Sequence, residues 1–103
     1  INSYRNKIEM IKNKKKKKKI KVNYYVYMLK TKSIKSTTYV GYTNNLRKRI
    51  LLHNSGKGAK FTRGRKWVLI YKEKFKSKKE AISREYYIKK NRSLRNKLKK
   101  KYL

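Results

Sequence analysis

The residues from Tyr39 to His53, YVGYTNNLRKRILLH, leave few folds open. They read as a short strand, a glycine, a polar turn and an amphipathic helix. Asn44 or Asn45 is placed to cap that helix by accepting from an orphan N–H of its first turn. At about 100° per residue, Leu46, Arg49, Ile50 and His53 fall within one stripe. An arginine and a histidine therefore share the face that Leu46 and Ile50 press against the body of the protein. A guanidinium buried without a partner is costly, so an anion should meet Arg49. The other reading is a basic helix whose Arg49 stem lies along the core while its head reaches water.

Upstream, Val22–Leu29 alternates. Val22, Tyr24, Val26 and Met28 face one way; Tyr25, Tyr27 and Leu29 face the other. Period two with β-branched and aromatic residues predicts a strand. A polar loop over 31–36 leads to a second strand, Thr37–Tyr42, near enough to pair with the first as an antiparallel hairpin. Pairing symmetric about Ser33 places Tyr27 opposite Tyr39 and Tyr25 opposite Gly41. The two hydroxyls of Tyr27 and Tyr39 then lie on one face of the sheet.

Downstream, Asn54–Arg65 (NSGKGAKFTRGR) holds three of the four glycines and is expected to be a loop. It is not a phosphate-gripping P-loop, because no Ser or Thr follows Lys57 and the glycine spacing differs. It is either a basic docking loop presenting Lys57, Lys60, Arg63 and Arg65, or a flexible connection. Trp67–Tyr71 (WVLIY) reads as a central third strand. Ser77 and Glu80 form a capping box that opens a helix through about Lys90, with Ala81, Ile82, Glu85 and Ile88 on one side. Ser93 is placed to cap a last helix carrying Leu94 and Leu98. The expected fold is α+β: a small antiparallel three-stranded sheet flanked by helices, in the order β-β-α-β-α-α.

Charge sets the class of partner. The 103 residues carry a net charge of +31, from 35 Lys and Arg against four acids, all Glu. Such a chain repels itself and favours a polyanion, with nucleic acid ahead of an anionic membrane surface. Lys, Asn, Ile and Tyr all use AT-rich codons, so base composition can raise the basic count; the charge speaks for binding and not for catalysis. Residues 1–21 divide from a domain at 22–103 as a low-complexity basic arm, with an unbroken lysine run at 14–19. Such a segment cannot bury a core and is expected to be disordered. It is either a sequence-blind arm on phosphates, or a solvated tail or upstream read-through before a start that is not Met. Cysteine is absent, which removes disulfides and thiolate metal sites. No apolar run is long enough for a membrane span, and Tyr24–Leu29 is too short for a signal peptide. A cytoplasmic protein that avoids membranes is expected.

With four carboxylates, elimination is possible. Glu9 lies in the arm, Glu73 sits among lysines at a strand end where a surface role suffices, and Glu80 caps a helix. Glu85 remains, on an otherwise apolar helix face, and needs a cation: either a protein base or a metal ion.

These elements resemble the GIY-YIG nuclease superfamily. The likeness rests on Tyr25-Val26-Tyr27, then Tyr39-Val40-Gly41, an arginine eight residues past that glycine, and a distant helical glutamate. The loop His53–Arg65 and the segment Arg84–Lys90 are similar to small stand-alone bacterial members, relatives of the nuclease module of the excision-repair incision enzyme. Tyr25 stands where the family name has Gly, and Val40 where it has Ile. The resemblance implies an endonuclease that hydrolyses DNA phosphodiesters with one divalent cation, Mg²⁺ or Mn²⁺. In that reading Glu85 is the metal ligand, Arg49 lies beside the scissile phosphate, and at least one of Tyr27 and Tyr39 activates or orients water. His53 stands where members carry His or Tyr, and Gly41 allows close packing beside the tyrosines. Arginine and metal neutralise the phosphorane, and the metal lowers the pKa of water. No element for reading bases is evident, so selectivity for DNA structure, in repair or recombination, is expected. The alternative is a non-catalytic DNA- or RNA-binding protein that keeps the fold.

Overall fold

The first strand, β1 (Tyr24–Thr31), is the centre of the sheet because its residues are buried on both faces. Val26, Tyr27, Met28 and Leu29 are all buried to within 1%. A computed structural model describes residues 22–33 and 35–102, so the basic arm at 1–21 lies outside the described residues. Antiparallel neighbours flank β1 on both sides, β2 (Thr38–Thr43) and β3 (Trp67–Phe75), in the order β2-β1-β3. The expected α+β architecture and element order are present, but the WVLIY strand is an edge and not the centre. Of its residues only Trp67 is buried, whereas β1 offers both faces to burial and both backbone edges to pairing.

The hairpin register also differs from expectation. Tyr27 faces Gly41 and Leu29 faces Tyr39, two residues away from pairing centred on Ser33. Thr31 closes a longer loop: its N–H donates to Thr37 O at 3.0 Å and its Oγ1 accepts from Thr37 N–H at 2.9 Å. A two-residue shift preserves the faces, so Tyr27 and Tyr39 still project from the same side.

Helix α1 (Leu46–Asn54) covers that side, packing Leu46 and Ile50 near Tyr27, Leu29 and Trp67. Asn45 is its cap, accepting from Lys48 N–H at 3.1 Å. Helix α2 (Lys78–Lys90) covers the other side with α3 (Arg92–Tyr102); Ala81, Ile88 and Leu98 meet Val26, Met28 and Val40 there. Ser77 Oγ caps α2 by accepting from Glu80 N–H at 3.2 Å. Two details depart from expectation. Ile82 is 43% exposed, since it lies at the solvent margin of the apolar stripe. Asn91, not Ser93, caps α3, accepting from Leu94 N–H at 2.9 Å, so the helix begins earlier than the Ser93 reading allows.

Candidate active site

Residue 41 is opposite Tyr27, and only glycine fits there. A Cβ at Gly41 would lie 2.5 Å from the Tyr27 hydroxyl and 3.1 Å from the Tyr39 ring. The absent side chain lets the Tyr27 phenol cross β2 toward α1, where its hydroxyl meets His53 Nε2 at 2.7 Å. His53 is fully buried in the last turn of α1, and its Nδ1 lies 2.9 Å from Thr62 Oγ1. That hydroxyl donates to Ala59 O at 2.9 Å and accepts from Ala59 N–H at 3.2 Å. A hydroxyl has one proton to give. Nδ1 is therefore the protonated nitrogen of His53, and Nε2 accepts from Tyr27.

Electrostatics agree with that assignment. Burial, then the charge of Arg49, lowers the pKa of His53 and keeps the ring neutral. Burial pushes the Tyr27 phenol up to about 12, so it holds its proton at neutral pH. Arg49 pulls the phenol the other way, while Tyr39 and, least of all, Glu85 push it up. Arg49 stands against both phenols, and hydrogen-bonding influence from Tyr27 is the main cause of its raised pKa. Among the described residues no contact of its guanidinium reaches full hydrogen-bond geometry, and the Nε is buried with no partner. A cleft of about 410 Å³ opens beside it, lined by Arg49, Lys78, Tyr24, Tyr42, Thr43 and Asn44. Two cations line that cleft and no carboxylate does, which suits an anion.

The loop after α1 is tied down rather than slack. Asn54 behaves like a strand neighbour of Trp67: its Oδ1 accepts from Trp67 N–H at 2.6 Å and its Nδ2 donates to Trp67 O at 3.2 Å. The Trp67 indole N–H donates to Thr62 O at 3.0 Å. Gly58 lets the loop close over the histidine, since a Cβ there would lie 2.5 Å from His53 Nδ1. Lys57, Lys60, Arg63 and Arg65 all stay exposed.

Glu85 has 16% of its side chain exposed and pairs with Lys89 at 2.7 Å, one turn on along α2; Lys89 is 47% exposed. Arg84 turns the other way, its Nε donating to both oxygens of Glu73 at 2.8 and 3.1 Å. Glu73 thus anchors a helix instead of merely decorating the surface. Among the described residues, no three His, Cys, Asp or Glu side chains cluster as metal ligands.

Tyr27, Tyr39, Arg49, His53 and Gly41 therefore meet at one place; Glu85, on α2, bears on it only as the weakest of the influences on the Tyr27 phenol. Sequence reasoning missed Thr62, Gly58 and Lys78. The first two belong to a loop whose closure onto His53 has no periodicity. Lys78 is one lysine among many until α2 packs beside the β2–α1 turn.

The sequence matches the GIY-YIG catalytic domain over residues 23–100. The chain belongs to the GIY-YIG family. It is 61% identical over 67 residues to a UPF0213 protein of Clostridium perfringens, covering 64% of this chain and 70% of that one. It is 49% identical over 69 residues to the UPF0213 protein YazA of Bacillus subtilis, covering 66% and 68%. The solution NMR structure of a UPF0213 protein from Bacillus halodurans is 44% identical, with a TM-score of 0.47 over 74% of this chain and 81% of that one. A GIY-YIG catalytic domain is a nuclease domain, and small stand-alone bacterial proteins are its relatives here. No helix among the described residues is long and apolar enough to cross a membrane.

Proposed function

We propose that this GIY-YIG protein is a divalent-metal-dependent endonuclease that cleaves DNA by structure rather than sequence, in repair or recombination in the cytoplasm. One observation carries the reading: the Arg49 guanidinium, its Nε buried and unpartnered, stands against two phenols and lines a cleft that lacks any carboxylate. A phosphodiester supplies the missing charge. Arg49, with Lys78 across the cleft, orients the scissile phosphate and stabilises the charge that builds up on it.

The two tyrosines divide the work. The Tyr27 hydroxyl is buried and committed to His53, so it fixes the orientation of the Arg49 surroundings. Tyr39 is only part-buried, and its ring lies 4.9 Å from that of His53. It is the phenol that can reach an attacking water. Thr62 holds His53 in the tautomer that accepts from Tyr27.

Glu85 is the residue that would hold the metal. A single carboxylate fits a hard cation that keeps several waters and takes other oxygens from a phosphate, as Mg²⁺ or Mn²⁺ does. Bound there, the cation would supply Lewis-acid stabilisation and a more acidic water. The Lys89 ammonium now beside Glu85 is half exposed and can swing away without being stranded.

The test is cleavage of labelled duplex, nicked, branched, mismatched and single-stranded DNA with Mg²⁺, Mn²⁺ or EDTA. Metal-dependent cleavage by the wild type, lost in Arg49→Ala, is expected. Tight binding with no cleavage of any structure would leave a non-catalytic nucleic-acid-binding protein.

A further inference from the structure

Phe61 is 52% exposed, yet it is no stray surface residue. Its ring lies 6.2 Å from that of Tyr39 at an interplanar angle of 22°, and 6.3 Å from Trp67. It sits in the 3₁₀ turn Lys60–Thr62, whose last residue anchors His53, so its backbone is held before any ligand arrives. Lys60, Arg63 and Arg65 lie near it in sequence, all exposed, and the Arg65 guanidinium lies 5.0 Å above the ring. Tyr86 and Tyr87, the other large aromatics exposed among the described residues, belong to α2, and no aromatic pair there joins them to an active-site ring.

A half-exposed aromatic ring with an exposed guanidinium over it and further cations near it in sequence suits an unpaired base whose phosphates those cations grip. Inside a duplex both faces of each base are already covered by neighbours. We propose that Phe61 is the stacking platform for one unpaired base next to the scissile phosphate, with Arg65 turning from the ring to an adjacent phosphate as the base arrives. The preferred substrate is thus DNA with an unpaired nucleotide at the cleavage point: a single strand, a flap or a bulge. This rests on the nuclease reading of the same site, but it is tested by binding alone.

Binding of the full chain is measured in EDTA by anisotropy, to a labelled single strand, a duplex of equal length and a duplex with one bulged base. Phe61→Leu should bind the single strand and the bulge roughly 5- to 150-fold more weakly, the scale of one lost base–aromatic stack. Duplex affinity, set by phosphate contacts, should hold, and Phe61→Tyr should keep wild-type binding. An abasic site moved along the strand should weaken the wild type at one position and leave Phe61→Leu indifferent. Equal losses on single strand and duplex, or a flat abasic scan in the wild type, overturn the proposal. If the binding differences hold but the wild type cleaves nothing with metal, the platform stands and the nuclease reading falls.

Discussion

Along β1, Val26 and Met28 meet Ala81, Ile88 and Leu98 on one side of the sheet, while Tyr27 and Leu29 meet Trp67, Leu46 and Ile50 on the other. All four β1 residues are buried to the same degree, so burial alone does not separate the two sides. Chemistry does. The α2–α3 side is an apolar cluster, whereas the α1 side encloses a phenol hydroxyl, a neutral imidazole and a threonine hydroxyl, each satisfied by the next. Buried polar groups are costly unless paired, and apolar residues of similar volume would hold a small domain at least as well. The apolar cluster of the first side is arranged for stability, with Lys78 and Glu85 of α2 outside it; the second side gives up some stability for placement.

The largest effect that would sharpen this contrast belongs to Glu85→Gln. It should abolish metal-supported cleavage and leave DNA binding equal or tighter. Its melting should hardly change, since the lost partner is a half-exposed i,i+4 lysine and such pairs contribute about 0–1 kcal/mol. A variant that melts far below wild type would show that Glu85 is structural.

Ile88→Ala works the opposite side. It should remove roughly 2–5 kcal/mol of stability while leaving cleavage per folded molecule intact. A fall in that specific rate would mean that this packing also sets the position of Glu85, which α2 carries.

Tyr27→Phe should act on both quantities. His53 Nε2 loses its donor, which costs about 1–3 kcal/mol, and the rate should fall on the order of 10²-fold as the surroundings of Arg49 lose their orientation. Tyr39→Phe should show a comparable rate loss with little change in melting. Equal melting of the two variants would undo the division of labour between the tyrosines.

The smallest effect is a pH dependence. His53 is the chain's one histidine, and its pKa is lowered on folding by burial and by Arg49. As pH drops below about 6.5, the unfolded chain takes up a proton that the native state refuses, so stability declines on acidification. At the alkaline end Tyr27, raised to about 12, contributes stability that is full below pH 10 and lost between 10 and 12. Urea titrations at pH 5.5 and 7.5 read the first. Ile88→Ala should keep the wild-type slope and His53→Gln should flatten it.

Much of this was legible in the sequence because period two assigns faces whatever the register. Tyr27 and Tyr39 share a side in the expected pairing and in the observed one, two residues apart. The register itself was not legible, since it depends on the Thr31 hydroxyl closing the hairpin loop. The stripe through Arg49 and His53 showed where chemistry would lie; it could not show that Thr62 and Gly58 complete the histidine's surroundings from a loop. Centre and edge were exchanged for WVLIY because a short apolar run says how much is buried and not how many strands adjoin it. Ser93 lost the capping role to Asn91 because both residue types cap well and local sequence does not rank them.

The fit between Gly41 and the Tyr27 ring also bears on inheritance. A descendant that shortened residue 27 would leave a hollow that a methyl group at residue 41 could fill. Once Gly41→Ala was fixed, the ring could not return, because the new Cβ would occupy the space of its hydroxyl. Loss of the Tyr27 ring, once followed by an alanine at position 41, could then be reversed only by changing both positions.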